Sequence, residues 1–305
     1  MLPNRLLTIL IISVLFFTSC TLKETEAPPV VQPPPVVQPP PKPAKIALVL
    51  GAGSLKGFAH IGVLKILESN KIPIHMIVGT SAGSAVGALY AYGMDAFSLQ
   101  KLSFSVQKDD IVDLLLFPSN GFIKGEKLEE FINKSVNHTP MEKLKIPFYA
   151  VTTDLENGQE MVFGKGNTGI AVRASCSIPG IFRAVRISDR IYVDGGVVSP
   201  VAVDAAKRLG ADVVIAVDIS STVDRIQPEG TIDTILQSIN IMYSKLGSIQ
   251  VCKADVVIRP KVSYIGSGDF SKRHEAILEG EKAAIEALPQ IMQIVTQLRQ
   301  EKRLE

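Results

Sequence analysis

The chain has 305 residues, 46% hydrophobic and 20% charged, which is enough apolar material for one large globular domain or two small ones. Lys and Arg number 32 against 30 Asp and Glu, so the net charge is +2 and no nucleic-acid footprint is expected. Three cysteines, at 20, 176 and 252, exclude a disulfide framework; four scattered histidines, at 60, 75, 138 and 274, exclude a His/Cys metal site, and no cofactor is expected.

Met1 to Phe17 carries one charged side chain, Arg5, ahead of the apolar run Leu6–Phe17. A helix of that length spans about 18 Å against about 30 Å of hydrocarbon, so the run reads as the core of a signal peptide over residues 1–19. It closes on Phe17-Thr18-Ser19-Cys20, which resembles the lipobox of bacterial lipoproteins, with Phe17 where Leu is usual. The resemblance implies a lipid on Cys20 and attachment to a membrane surface; an ordinary secreted chain cut nearby is the alternative. Leu22, where inner-membrane lipoproteins carry Asp, implies the outer membrane, facing the periplasm or the cell surface. Residues 20–43 then read as a tether. Nine of the 19 prolines fall in 21–43, a composition that gives a semi-extended polyproline spacer. The catalytic domain is expected over 44–305.

Within it, short apolar runs alternate with helical periodicity. Lys45–Leu50 reads as a buried parallel strand, Gly57–Asn70 as a helix, Met76–Val78 as a strand and Ala82–Tyr92 as a helix of small residues. Phe148–Thr152 and Ile191–Val193 read as strands, Val201–Leu209 as a helix and Asp212–Val217 as a strand. Ile232–Leu246 follows as a helix, Asp255–Ile258 as a strand and Lys272–Leu288 as a helix that Pro289 kinks or restarts. This alternation predicts a three-layer α/β/α sandwich with a largely parallel central sheet. Leu114–Phe117 reads as a helix edge in the core, with a lipid-contacting lid as the alternative. Cys176 reads as a buried structural thiol.

Three constellations carry chemistry. Gly79-Thr80-Ser81-Ala82-Gly83 lies between a strand and a helix, the setting of a nucleophile elbow. Its glycines, Gly79 and Gly83, keep a tight turn clear, and Ser81 sits at the positive end of the next helix. Gly51-Ala52-Gly53-Ser54-Leu55-Lys56-Gly57 also joins a strand to a helix, yet fits neither a dinucleotide fingerprint nor a P-loop. Its amides suit an oxyanion or a phosphate. Asp194-Gly195-Gly196 puts a carboxylate at a strand end. A Ser81–Asp–His274 triad of the α/β-hydrolase kind is one way to complete the site. It fits poorly, because Ser81 comes after only the second strand and His274 opens a polar helix.

Taken in order, the glycine loop, Gly-Thr-Ser-Ala-Gly and Asp-Gly-Gly resemble the patatin-like phospholipase family, in particular its small bacterial members. Phe58–Glu68, Ala174–Pro179 and Gly195–Val217 extend the resemblance over roughly Lys45–Ser220. It implies a Ser81–Asp194 dyad without histidine, an oxyanion hole from the Gly53 and Ser54 amides, and added positive charge from Lys56. It also implies a phospholipid or lysophospholipid substrate and phospholipase A or lysophospholipase activity. Family members carry glycines where this chain has Ala52 and Ser54, and Arg where it has Lys56. If position 54 needs φ > 0, Ser54 costs about 1 kcal/mol of strain. A lipid-binding protein that keeps the fold without catalysis is the remaining alternative.

Overall fold

The computed structural model describes residues 41–115, 121–220, 228–266 and 268–304, and the folded unit begins at Pro41. The expected signal peptide, Cys20, the tether up to Pro40, and Leu116 and Phe117 lie outside the described residues. Among the described residues, no helix is long and apolar enough to cross a membrane.

Strand β1 (Ile46–Leu50) is buried along its whole length. Side chains alternate across a strand, so Ile46, Leu48 and Leu50 enter one core while Ala47 and Val49 enter another. The larger core lies under α1 (Phe58–Ser69), α2 (Ala82–Tyr92), α3 (Ala96–Ser105) and α5 (Glu126–Ser135), with the short α4 (Lys108–Ile111) between the last two. The long C-terminal helix α9 (Arg273–Gln300) closes the same face, with Ile277, Ile291 and Val295 in the core. The smaller core lies under α7 (Val203–Arg208), where Ala47, Val49, Val203, Ala205 and Ala206 meet. Helices on both faces of a sheet make the three layers.

The sheet is mixed. Strands β2 (Met76–Thr80) and β3 (Phe148–Asp154) pair in parallel on one side of β1. On the other side, β7 (Val213–Val217) and β8 (Val256–Ile258) do the same. Beyond β3 the sheet turns antiparallel, through β4 (Glu160–Phe163), β6 (Arg190–Asp194) and β5 (Val185–Ile187). The main path runs β5-β6-β3-β2-β1-β7-β8. Helices α6 (Thr168–Ser175) and α8 (Thr231–Gln250) complete the described α-helices.

Two expectations need correction. Helix α9 runs unbroken from Arg273 through Pro289 to Gln300, so the proline does not restart it. The carbonyl that this proline leaves without a donor belongs to Ile285, which is 55% exposed, so water can take the place of the missing N–H. Leu114 is not a helix edge in the core: it is 75% exposed and bridges Ile123 in antiparallel fashion. The Leu115 amide donates to the Phe122 carbonyl, so this segment is extended rather than helical.

Candidate active site

Strand register brings the site together. On one side of β3, Thr80 is level with Val151; on the other, Asp194 is level with Thr152. Ser81 and Asp194 therefore leave the two strands that flank β3 at nearly the same height. The Ser81 hydroxyl donates to Asp194 Oδ2 at 2.6 Å, and both residues are buried.

Each partner is held from several sides. Ser81 has φ 53°, ψ −124°, a strained backbone for a residue with a Cβ, and it stands at the N-terminus of α2. Its amide donates to Ser175 Oγ at 2.9 Å, and Ser175 in turn donates to the Val151 carbonyl. The Ser84 hydroxyl donates to the Ser81 carbonyl at 2.6 Å. The turn tolerates no side chain at its glycines. A Cβ at Gly79 would lie 2.5 Å from Ser84 Cα, and one at Gly83 would lie 2.1 Å from the Leu50 carbonyl oxygen. Asp194 donates its amide to the Ser177 carbonyl, and its own carbonyl accepts from the Thr153 hydroxyl. Its second carboxylate oxygen accepts from the Gly196 amide at 2.7 Å. Burial raises the Asp194 carboxyl to about pKa 6, against the hydrogen bonds from Ser81 and Gly196 and the nearby Tyr243 hydroxyl, which lower it. A carboxylate with that pKa is a far better base near neutrality than an ordinary aspartate at about 3.9.

The glycine loop lies beside this pair. The Gly51 and Ala52 amides are taken by the carbonyls of Val217 and Pro200. Among the described residues, the Gly53 and Ser54 amides have no protein acceptor. Ser54 has φ 53°, so the strain weighed from the sequence is present. Ser54 and Leu55 line the cavity in front of Ser81, whereas Lys56 is buried in the short 3-10 turn that follows and is not among the lining residues. His60 is fully buried under the loop, its Nε2 bonded to the Gly51 carbonyl, and burial lowers its pKa to about 4, so it is neutral. His274 is exposed on α9 against the Phe104 ring, and no hydrogen bond links it to Ser81 or Asp194. The triad alternative therefore has no geometric support.

A cavity of about 440 Å³ opens onto Ser81. Its walls are apolar: Leu99 and Leu102 from α3, Ile111, Val112, Leu114 and Phe122, and Ile232 and Leu236 from α8. Cys176 also lines it, buried, 3.8 Å from Ser84 Oγ, with its thiol pushed up to about pKa 12 by burial, hence unreactive. Among the described residues, no cluster of His, Cys, Asp or Glu can hold a metal. Reasoning from sequence missed Ser175, Ser84, His60 and Tyr243. Ser175 stands in the quoted block Ala174–Pro179, but nothing in its spacing shows that it receives the Ser81 amide.

An α/β/α sandwich with a serine on a strained strand-to-helix turn, bonded to a buried aspartate across one strand, defines a class of serine–aspartate proteins with an apolar ligand cavity. The family description "Patatin-like phospholipase" matches residues 48–207, and the chain belongs to that family. Among curated relatives, the chain is 30% identical over 235 residues to lysophospholipase NTE1 of Pyricularia oryzae, which covers 75% of this chain and 16% of that protein. It is 34% identical over 182 residues to an uncharacterised NTE family protein of Mycobacterium bovis, covering 58% of this chain and 50% of the relative. The chain thus spans half or less of the length of these two relatives. Among solved structures, the type III effector ExoU superposes with a TM-score of 0.47 at 15% identity, over 83% of this chain and 54% of that one.

Proposed function

We propose that the protein hydrolyses acyl esters of phospholipids or lysophospholipids, with Ser81 as nucleophile and Asp194 as general base. One observation carries the reading: the Ser81 hydroxyl donates to Asp194 at 2.6 Å beside an apolar cavity of about 440 Å³. That volume and lining suit an acyl chain. In acylation, Ser81 Oγ bonds to the ester carbonyl carbon while its proton passes to Asp194 Oδ2. The carbonyl oxygen, now an anion, is held by the Gly53 and Ser54 amides, each such donor being worth about 10²–10³ in rate. The tetrahedral adduct collapses, and Asp194 returns the proton to the departing alkoxide. Water then gives a proton to Asp194 and attacks acyl-Ser81; the fatty acid leaves and Ser81 regains its proton. Membership of the patatin-like phospholipase family and the likeness to lysophospholipase NTE1 support the lipid ester as substrate class.

Fatty-acid release from phosphatidylcholine and lysophosphatidylcholine, measured by mass spectrometry, tests the reading. Release is expected from at least one of them, lost in Ser81→Ala and kept in His274→Ala. Loss of activity in His274→Ala, with Ser81→Ala active, would overturn it. The sequence also supports a membrane position: the Thr18-Ser19-Cys20 close and the proline-rich stretch behind it fit a lipid-anchored chain on the outer membrane. The intact mass of detergent-extracted protein checks this, with a lipid on Cys20 as the first residue expected and an unmodified Cys20 counting against it.

A further inference from the structure

Helix α8 aims one inner row at the site: Leu236, Ile239, Tyr243 and Gly247, at helical spacing. Three of these do ordinary packing work. Tyr243 does something else. It is 3% exposed, and among the described residues its buried hydroxyl finds no partner at good hydrogen-bond geometry. A buried hydroxyl without a well-formed hydrogen bond is destabilising, and a phenylalanine of the same shape would avoid that cost. The ring lies directly on the Asp194-Gly195-Gly196 turn. A Cβ at Gly196 would sit 2.3 Å from Tyr243 Cζ, the carbon that bears the hydroxyl. Gly196 is thus the residue that admits the phenol to the carboxylate it helps to hold.

In the resting site both Asp194 oxygens are engaged, Oδ2 by Ser81 and Oδ1 by Gly196. That leaves the phenol beside the carboxylate, near enough to favour its charged form but without a hydrogen bond of good geometry. Acylation changes the balance, because an esterified Ser81 has no proton to donate. We propose that Tyr243 is a positioning residue for Asp194, its hydroxyl donating to the carboxylate while Ser81 carries the acyl group. The inference rests on the Ser81–Asp194 reading above. A carboxylate that lost one of two donors in a buried site would rise in pKa or turn away; a donor from α8 keeps it ionised and aimed at the incoming water. No bond is made or broken at Tyr243.

The surroundings agree. Asp194 is faced by Ser81 from the elbow, the Gly196 amide from its own turn, Tyr243 from α8 and the Cys176 thiol beyond the end of α6. Among the described residues, no charged side chain contributes to the balance at Asp194. Burial and the neighbouring carboxylate hold the Tyr243 phenol well above its usual range, so it remains a donor at every working pH.

Tyr243→Phe keeps the ring and removes the donor. The rate of the parent falls as pH drops through Asp194's value of about 6, because the base becomes protonated. Removing a donor to the charged form raises that value, so the acid limb of kcat moves up by about half a pH unit or more. Deacylation slows about threefold or more while the acylation burst with a chromogenic ester keeps its amplitude. Replacing Tyr243 with 2,3-difluorotyrosine, a stronger donor, moves the limb the other way, a sign that a packing role does not produce. A Tyr243→Phe profile superimposed on that of the parent, with burst and steady state unchanged, overturns the inference and leaves the dyad standing if Ser81→Ala is inactive. Full activity in Ser81→Ala overturns the dyad instead.

Discussion

Two regions enclose the cavity, and they hold their shape by different means. The floor consists of the turns at residues 51–57, 79–84 and 194–196. There, backbone groups and short hydroxyls fix the geometry: Ser175 to the Ser81 amide, Ser84 to the Ser81 carbonyl, Gly196 to Asp194. The roof consists of α3, α4, the extended stretch around Leu114 and Phe122, and the start of α8. It offers apolar side chains, several of them exposed, such as Leu114, Phe122 and Ile232. A floor of this kind fails if one atom is added, whereas a roof of this kind yields gradually. On the proposed function, the chemistry depends on the first and the choice of acyl chain on the second.

The comparison can be broken most sharply at the dyad. Ser81→Ala and Asp194→Asn are each expected to lower turnover by about 10³ or more, and the double variant to be little worse than either. Steady-state assays with circular dichroism on each variant check this. Gly83→Ala tests the floor without touching a reacting group. Its Cβ would lie 2.1 Å from the Leu50 carbonyl oxygen, backbone that cannot swing aside. A displacement near 1 Å at the elbow is expected to cost about 10² in turnover, with a lowered melting temperature. Leu102→Ala tests the roof. Its effect is expected to be about three- to tenfold in kcat/KM for long-chain esters and negligible for a butyrate ester, as for a lost apolar contact. Ser54→Gly has the smallest effect. It relieves a φ of 53° without removing an amide, so turnover equal to or above that of the parent is expected. The gain in stability stays within about 1 kcal/mol, because glycine also loosens the unfolded chain.

The same contrast explains what could be read from the sequence. The parallel strands β1, β2 and β7 are short, apolar and stopped by glycine or polar turns, so their pattern announces them. The elbow and the glycine loop depend on glycine at fixed positions, and glycine spacing is visible in one dimension. The antiparallel strands β4 and β5 are short and half exposed, with little periodicity to detect. Helices α3 and α5 carried signals that went unused: Asp95 caps α3 by accepting from Ser98, and Leu128, Phe131 and Ile132 stand at helical spacing in α5. The Leu114 segment misled because four apolar residues in a row look like core, whereas Leu114, the first of them, is 75% exposed and lines the cavity. Ser175 and Tyr243 act across 94 and roughly 50 residues of chain, respectively, through register and helix phase that no local pattern encodes. Lys56 could be named from its place in the loop, but its burial could not.

The central claim is that Ser81 is activated by Asp194 in a site otherwise complete. Labelling with a fluorophosphonate, read out by intact mass and peptide mapping, tests it most directly. One adduct on Ser81 is expected in the parent, much slower labelling in Asp194→Asn and none in Ser81→Ala. A folded parent that takes up no label, or a Ser81→Ala variant that labels as the parent does, would contradict it.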